Sequence, residues 1–586
     1  MNILTFTQKI KLLYSQHHGI ESCIKLLADP TGKKYLFPIP TPRSTADKYE
    51  GVKFDPFNKN LNRLQSTAVS SILAGSYSTC PYIIFGPPGT GKTTTLIEAV
   101  KQYGLLPSTN RILICAPHNN AADLLLRQLA STIPPSEMFR YNSYSRQKCE
   151  VDEITLRYSY YDTLSDAFGI KSYEILKGFK YIVCTCVMAS KLGQQMLGRD
   201  PVFNKNDFSA VFIDECGHGV EPEIVATFSG FFTTSDGKSS KFESKTSNRL
   251  IIAGDPKQLG PIVFSSTAEK GGLALSFIER LVTTASPYAI DYEAFPSTCG
   301  YNPVYITKLT DCYRCHPDIL KIPNELFYNK ELIAKADPTV SHSLLNWAEL
   351  PNKQFPLIFH GVEGKQDQEG NSPSWFNISE IERVLYYVQL LVDTRKCDSD
   401  AIGVITPYRK QVNKIKLALK KKSTTQNNYE GVLVGSCEQL QGQERKVIIV
   451  STVRSSLDFM SQDRYFNLGF LSNPKRFNVA ITRSQALLII IGNPTVLSKD
   501  KCFGKLLSFC SEQGAYLGPS YKPADDDSSD GFVLVEPSED ETIPFDNISR
   551  ITTILQSRFS ISVEDETSNE EGISPQHVSE FIGGTV

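Results

Sequence analysis

The chain has 586 residues, 41% hydrophobic and 21% charged, with a formal net charge of −2. That length exceeds a single hydrophobic core and calls for roughly two to four domains. The composition is that of an ordinary soluble globular protein, and the longest apolar runs, such as Ala486 to Gly492, fall far short of a membrane span. The balance of charge is uneven along the chain. From Tyr521 onward there are 15 acidic and 3 basic residues, leaving 48 acidic against 58 basic before it. A basic body with an acidic tail fits a polyanionic partner, although so mild an excess leans only slightly toward nucleic acid.

The N-terminus, MNILTFTQKIKLLY, is too polar for a signal peptide. Tyr82 to Phe85 reads as a short buried strand, and Thr94 to Val100 as the start of a helix. Ile112 to Ala116, Tyr181 to Thr185, Ala210 to Ile213 and Leu250 to Ala253 read as further strands. A second series follows at Pro356 to Phe359, Ile402 to Ile405, Val447 to Thr452 and Leu487 to Ile491. Continuous Val/Ile/Leu runs without alternation predict strands covered on both faces, hence two α/β domains with mostly parallel sheets. Ligands of such sheets sit at the carboxyl ends of strands. Ser131 to Gly178, tyrosine-rich and irregular, is expected to be a small helical insertion, and Thr233 to Asn248 a surface insertion. The acidic, serine-rich stretch from Asp525 is expected to be disordered. Within it, DDDSSDGFVLV (Asp525 to Val535) is either a short β-augmenting peptide or plain solvated tail.

Fourteen cysteines read as reduced thiols. Cys184 and Cys186 alternate along an apolar strand and fit packing better than metal ligation. Cys312, Cys315 and His316 spell CxxCH, but nothing else supports haem attachment, and no second CxxC pair supports zinc.

The chemistry concentrates in a few strand ends. GPPGTGKT (Gly86, Pro87, Pro88, Gly89, Thr90, Gly91, Lys92, Thr93), followed by Thr94, lies between a strand and a helix. Glycines let backbone N–H groups converge on anionic oxygens, and the helix N-terminus adds its dipole. Lys92 would reach the outer phosphates and Thr93 would hold Mg²⁺. After the strand at Ala210 comes Asp214-Glu215, an Mg²⁺ anchor and a candidate base for water. After the strand at Leu250 comes GDPKQLGP, in which Gln258 can hydrogen-bond a γ-phosphate or its attacking water; alone, this run reads equally as a turn.

These runs resemble superfamily-one helicases of the up-frameshift type. LNRLQ (Leu61 to Gln65), GPPGTGKT, APHNNAAD (Ala116 to Asp123), DECGH (Asp214 to His218), GDPKQLGP, LTDCYRCHP (Leu309 to Pro317), GVITPYRKQ (Gly403 to Gln411), VGSCEQLQGQERKVIIVSTVRS (Val434 to Ser455) and RFNVAITRS (Arg476 to Ser484) stand in family order. PYIIFGPPGTGKT, DECGHGVEPE, FPLIFHGVEGK, EGNSPS and FNLGFLSNPKRFNVAITR are especially similar to the Moloney-leukaemia-virus-resistance-type RNA helicases, the Armitage group.

The resemblance implies two tandem RecA-like domains of the P-loop NTPase class. The expected division is an extension over 1–55, a first domain over 56–295 with its insertion at about 131–178, a second over 296–520, and the acidic tail over 521–586. It implies an ATP- and Mg²⁺-dependent, five-prime to three-prime helicase on single-stranded RNA, cytoplasmic and active in RNA silencing. Silencing or granule proteins would be met through the tail, and no membrane is implied.

By the same resemblance Gln65 reads adenine and Tyr313 stacks on the base. Lys92, Thr93 and Asp214 hold phosphate and metal. Glu215 is the general base and Gln258 the γ-phosphate sensor. Arg314 and Arg483 are arginine fingers from the second domain, and Gly442 and Glu444 couple nucleotide to RNA. Pro117, Asn119, Thr185, Thr406, Pro407 and Tyr408 line the strand track.

Cys216, His118, Cys312 and Cys315 replace the family's common Ala, Ser, Asn and Ser. Clustered thiols there would make the enzyme oxidant-sensitive or be neutral replacements. The family also carries an RNA-gripping β-barrel ahead of the adenine motif, whereas about sixty residues precede that motif here. A DNA helicase of the same superfamily and an ATP-regulated RNA clamp that does not unwind stay open as alternatives.

Overall fold

The computed structural model describes residues 51–521, with breaks at 78–79, 108, 171, 197–202, 204–206, 233–247, 264, 266–267, 270, 371, 373, 396, 425–427, 457–468 and 472, together with 32–39 and positions 21, 23, 24 and 26. The tail, with its Asp525 to Val535 run, and most of the Thr233 to Asn248 segment lie outside the described residues.

Two sheets organise the chain. The first takes β1 (Tyr82–Phe85), β2 (Arg111–Ala116), β3 (Met138–Tyr141), β4 (Tyr181–Thr185), β5 (Phe208–Ile213), β6 (Arg249–Gly254) and β7 (Ile306–Lys308), in the order β3-β4-β2-β5-β6-β1-β7. The second takes β8 (Leu357–Gly361), β9 (Ile402–Ile405), β10 (Leu433–Gly435), β11 (Arg445–Ser451), β12 (Ser484–Gly492) and β13 (Tyr516–Leu517), in the order β10-β9-β11-β12-β8-β13. Every pairing in both is parallel. The runs YIIF of β1 and IGVI of β9 are buried throughout, as strands covered on both faces require. This is the architecture of two tandem RecA-like domains.

The helices that matter for the site are α1 (Arg63–Ala74), α2 (Lys92–Gly104), α3 (Asn119–Leu129), α4 (Pro317–Phe327), α5 (Ile378–Gln389), α6 (Arg409–Lys422) and α7 (Pro474–Ile481). Of these, α4 packs on α7 and β12 and so belongs to the second lobe. One hydrophobic cluster runs from the first sheet through Ile319 and Tyr328 to Phe477 and Phe503. The lobes therefore share buried surface beside residues 309–316, the hinge that joins them.

Two expectations need correction. The segment 131–178 is not helical: it holds the edge strand β3, a two-stranded ribbon (Tyr161–Asp162 with Ala167–Phe168), two 3-10 turns and one short helix, Glu153–Arg157. Strand β3 is legible only in three dimensions, because its Arg140 is fully buried against Asp123 of α3 at 2.8 Å, with Arg146 on the same carboxylate. A charged residue in a short run reads as loop until its partner is known. The domain boundary also moves. Ile306–Lys308 pairs with β1 and closes the first sheet, so the lobes part after residue 308 rather than at 295.

Ahead of the first lobe, Lys33–Leu36 forms a helical turn whose Tyr35 packs on Phe232 and donates to the Asn248 carbonyl at 2.8 Å.

Candidate active site

The phosphate loop is shaped by its own backbone and by the hinge. Beyond β1 the chain turns through buried Pro87 and Pro88 into α2. The Gly86 N–H donates to Gly254 O at 3.0 Å, tying the loop to the end of β6. The Pro87 carbonyl accepts from the Thr90 hydroxyl at 2.7 Å. Gly89 and Gly91 both lie in the left-handed region, at φ 69 and 76. A Cβ on Gly89 would fall 2.6 Å from the Arg314 Cβ, and one on Gly91 2.5 Å from Gln65 Nε2.

At the start of α2, Lys92 Nζ lies 2.8 Å from the Glu215 carboxylate and 3.7 Å from Asp214. The Thr93 hydroxyl donates to Asp214 Oδ2 at 2.9 Å, while Thr94 faces solvent. Hydroxyl and carboxylate oxygens so placed fit Mg²⁺, a hard cation that takes few protein ligands. Among the described residues, no three His, Cys, Asp or Glu side chains gather as a metal cluster.

Burial opposes every charge here. For Lys92 the two carboxylates outweigh burial and its ammonium is held above the ordinary value. For Glu215 burial is likewise outweighed, chiefly by Lys92, and its carboxyl is drawn down to about 2. Asp214 is raised by burial. Glu215 itself takes a left-handed backbone, φ 52, at the turn out of β5.

The Asn62 carboxamide accepts from Gln65 N at 2.8 Å, and Gln65 Oε1 accepts from Asn62 N at 3.0 Å, a reciprocal cap at the start of α1. Gln65 Nε2 then donates to the Thr90 carbonyl at 3.1 Å. Both ends of the amide expected to read adenine are thus engaged within the protein, and Gln65 braces the loop. Tyr313, 44% exposed, keeps its ring open beside the loop. Its N–H donates to Gly89 O at 2.8 Å and its hydroxyl accepts from Asn62 Nδ2 at 2.9 Å.

From the second lobe, Arg483 reaches across. Its Nη2 donates to Gln258 Oε1 at 2.8 Å, and Gln258 Nε2 donates to Asp255 Oδ2 at 2.6 Å. Burial, then the neighbouring Arg314, lowers the Arg483 guanidinium to about 10. Arg314 follows the boundary at residue 308 and stands where the two lobes meet. It lies in the hinge against Gly89 and binds the second lobe through the Glu444 carboxylate and the Thr482 carbonyl. Glu444 also accepts from Gln485 at 2.9 Å, and Gly442 lies beside Gln441, which touches the His218 ring. Burial depresses His218 to about 4.

The predicted strand track is only partly presented. Pro117 and Thr185, at the ends of β2 and β4, and Asn119, at the start of α3, are half-buried, and Asn119 Oδ1 already accepts from Arg140 Nη2 at 3.1 Å. Pro407 is half-buried. Thr406 and Tyr408 are buried, at 0% and 2% exposure. Tyr408 lies under Arg454, whose Nε donates to its hydroxyl at 2.8 Å, so neither side chain faces a strand. The run TPY after β9 reads as polar, yet a phenol can turn inward when a guanidinium meets its hydroxyl.

Cys312 and Cys315 are buried in the hinge, and all fourteen cysteines are free thiols. Cys184 packs against Cys115, Sγ to Sγ 3.8 Å, consistent with packing rather than ligation. Sequence reasoning passed over Asn62, Asp255, Tyr328 and Asn478. Asn62 was within reach, since Asn followed three residues later by Gln is a capping signature. Asp255 was hidden in a Gly-Asp-Pro turn signal, and the other two gave no local sign.

A family model described as an AAA domain matches residues 290–495, and a second AAA-domain model matches 60–167 and 145–266. The RNA helicase Mov10l1 of Homo sapiens is 44% identical over 483 residues, which cover 80% of this chain and 37% of that protein. Its Mus musculus counterpart is 45% identical over 478 residues, covering 80% and 37%. "Probable RNA helicase armi" of Drosophila melanogaster is 33% identical over 542 residues, covering 86% and 43%. The chain thus spans less than half the length of these relatives. The solved PRRSV helicase covers 73% of this chain and 54% of its own at 14% identity and a TM-score of 0.31, too weak a likeness to bear on function. Among the described residues, no helix is long and apolar enough to cross a membrane.

Proposed function

Because this chain belongs to the up-frameshift-like helicases of superfamily one, alongside the Mov10l1 and Armitage proteins, we propose that it is an ATP-hydrolysing motor that travels five-prime to three-prime along single-stranded RNA. The observation that carries the proposal is the convergence of Lys92, Thr93, Asp214, Glu215 and Gln258 on one strand-end surface, with Arg483 hydrogen-bonded to Gln258 from the opposite lobe.

The chemistry follows from that arrangement. Backbone N–H groups of Gly89 to Lys92 and the Lys92 ammonium bind the outer phosphates. Thr93 and Asp214 would hold Mg²⁺, which supplies positive charge to the phosphate oxygens. Glu215 is held as a carboxylate and accepts a proton from the attacking water. As phosphate draws Lys92 away, that carboxylate loses the ion pair that keeps it weakly basic. Gln258 and Arg483 meet the charge that develops on the transferred phosphoryl group, a contribution of roughly 10³–10⁵ in rate for an arginine finger. Tyr313 stacks on the base. The strand would cross the carboxyl ends of β2, β4 and β9, where backbone amides and small polar groups suit a sugar-phosphate track. Action in RNA silencing and a cytoplasmic location belong to the same proposal and rest on the resemblance of the motifs alone.

The test is ATP turnover by this chain alone, with single-stranded RNA and with DNA of matching sequence, paired with a strand-displacement assay. The proposal expects RNA-stimulated turnover and displacement from a five-prime overhang. DNA-only stimulation or turnover without displacement would overturn it in favour of a DNA helicase or a clamp.

A further inference from the structure

Below the site, a second set of hydrogen bonds joins the lobes, and the reaction scheme leaves it unused. Tyr328, the residue capping the C-terminal end of α4, is 0% exposed. Its hydroxyl donates to Asp255 Oδ2 at 2.8 Å. It accepts from Asn478 Nδ2 of α7 at 2.7 Å, and the same Asn478 amide donates to the Lys257 carbonyl at 2.9 Å. Asp255 in turn accepts from Gln258, and Gln258 accepts from Arg483, five residues beyond Asn478. Tyr328, Asn478 and Arg483 belong to the second lobe, whereas Asp255, Lys257 and Gln258 follow β6 in the first. The cleft is thus crossed by three hydrogen bonds of one connected network, with Gln258 on the nucleotide side and Tyr328 at the buried end.

We propose that Tyr328 is a positioning residue for phosphoryl transfer: its hydroxyl ties Asn478 to Asp255, and through Asp255 fixes the Gln258 amide in the orientation that meets Arg483. This rests on the hydrolytic reading above and adds a residue to it. A phenol suits the task because it donates and accepts through one rigid oxygen. Asp255 is buried with three donors on one carboxylate: the Lys257 N–H on Oδ1, and Gln258 and Tyr328 on Oδ2. Removing the Tyr328 donor leaves Oδ2 to Gln258 alone and frees that side chain to follow the carboxylate. Asn478 has a further sign of constraint. Its Oδ1 is buried with no partner, so the amide is oriented for its two donations at the expense of its acceptor. Cooperative networks of this kind act as units, and cutting any member costs about as much as cutting several.

The test compares the full chain with Tyr328→Phe, Asn478→Ala and the double variant, measuring kcat and KM for ATP with a saturating single-stranded oligouridylate, and melting temperature. Tyr328→Phe keeps the ring and loses one oxygen. The expectation is a fall in kcat of about 10- to 100-fold, the equivalent of one hydrogen bond to a charged group, with KM for ATP within about twofold. Asn478→Ala should lose a similar factor and the double variant no more than either. Tyr328→Phe with wild-type kcat overturns the inference, as does a loss confined to KM, a loss matched by collapse of the melting transition, or independent losses that multiply in the double variant. A wild-type chain that does not hydrolyse ATP removes the hydrolytic reading and this inference together. A wild type that hydrolyses and a Tyr328→Phe variant that equals it remove this inference alone.

Discussion

Gly89→Ala is the sharpest perturbation of the link between phosphate loop and hinge. Gly89 is at φ 69, where an L side chain costs about 1–2 kcal/mol of backbone strain. The added Cβ would begin 2.6 Å from the Arg314 Cβ and 3.0 Å from Cys312 Sγ. Carbon atoms rest at about 3.5–4.0 Å, so the hinge must retreat by roughly 1 Å. The atom in the way belongs to the base of the Arg314 side chain, so a rotamer change cannot relieve it. The Tyr313 N–H, bonded to Gly89 O at 2.8 Å, is pulled along. A displacement of about 1 Å in a positioning group costs on the order of 10²-fold in rate, or about 3 kcal/mol of barrier. ATP turnover measured by phosphate release should therefore fall about a hundredfold, while the melting temperature falls by only a few degrees for a strain of about 1–2 kcal/mol. Turnover within threefold of wild type in a folded variant would refute the claim that hinge and loop move as one.

Glu215→Gln should keep ATP and RNA bound but lower turnover by about 10²–10⁴-fold, because an amide cannot take the proton of water; filter binding and phosphate release together check this, and normal turnover would remove Glu215 as the base. Tyr313→Ala should weaken ATP binding by the equivalent of about 1–3 kcal/mol of base stacking, with GTP weakened alike, and a titration showing unchanged affinity would contradict the stacking role. Glu380 of α5, fully buried, accepts from the Ser451 hydroxyl at 2.6 Å and from Val453 N at 2.8 Å, and burial pushes its carboxyl up to about 8. Its folded value lies above its ordinary 4.5, so the stability it contributes is complete at low pH and is lost progressively as pH rises toward 8, at about 1.4 kcal/mol per pH unit. Glu380→Gln keeps an oxygen for both donors and should flatten the dependence of melting temperature on pH between 6 and 8; equal slopes for the two proteins would refute it.

How much was legible depends on what each residue type can signal alone. The central strands were plain because a run such as Val447 to Val450 has no polar residue to spare for solvent, and the observed β11 contains it. Edge strands β3, β7, β10 and β13 were missed because each is only two to four residues long, and in β3 a charge that only Asp123 satisfies, Arg140, interrupts the apolar run. The phosphate loop and the acidic pair were readable because glycine, lysine and paired carboxylates have few other uses in that order. Tyr408 misled for the opposite reason: an aromatic after a strand is as good a core residue as a binding one, and only Arg454 decides. The second-lobe members of the cross-cleft network, Tyr328 and Asn478, lie far from β6 in sequence, and no local pattern could have joined them to it.

The stitch between Tyr313 and Gly89 ties the chain segment that joins the two lobes to the phosphate loop, so any bending between the lobes would begin there. The pivot of the two halves would then lie hard against the spot where the proposed fuel is cleaved, while the strand would run along the outer rim. A crank with its axle at the fuel and its load at the rim magnifies travel and divides force. Loss of a phosphate group, a matter of a few ångströms, would then become a longer excursion at the rim, so step length in this machine should be governed by the reach of the second lobe.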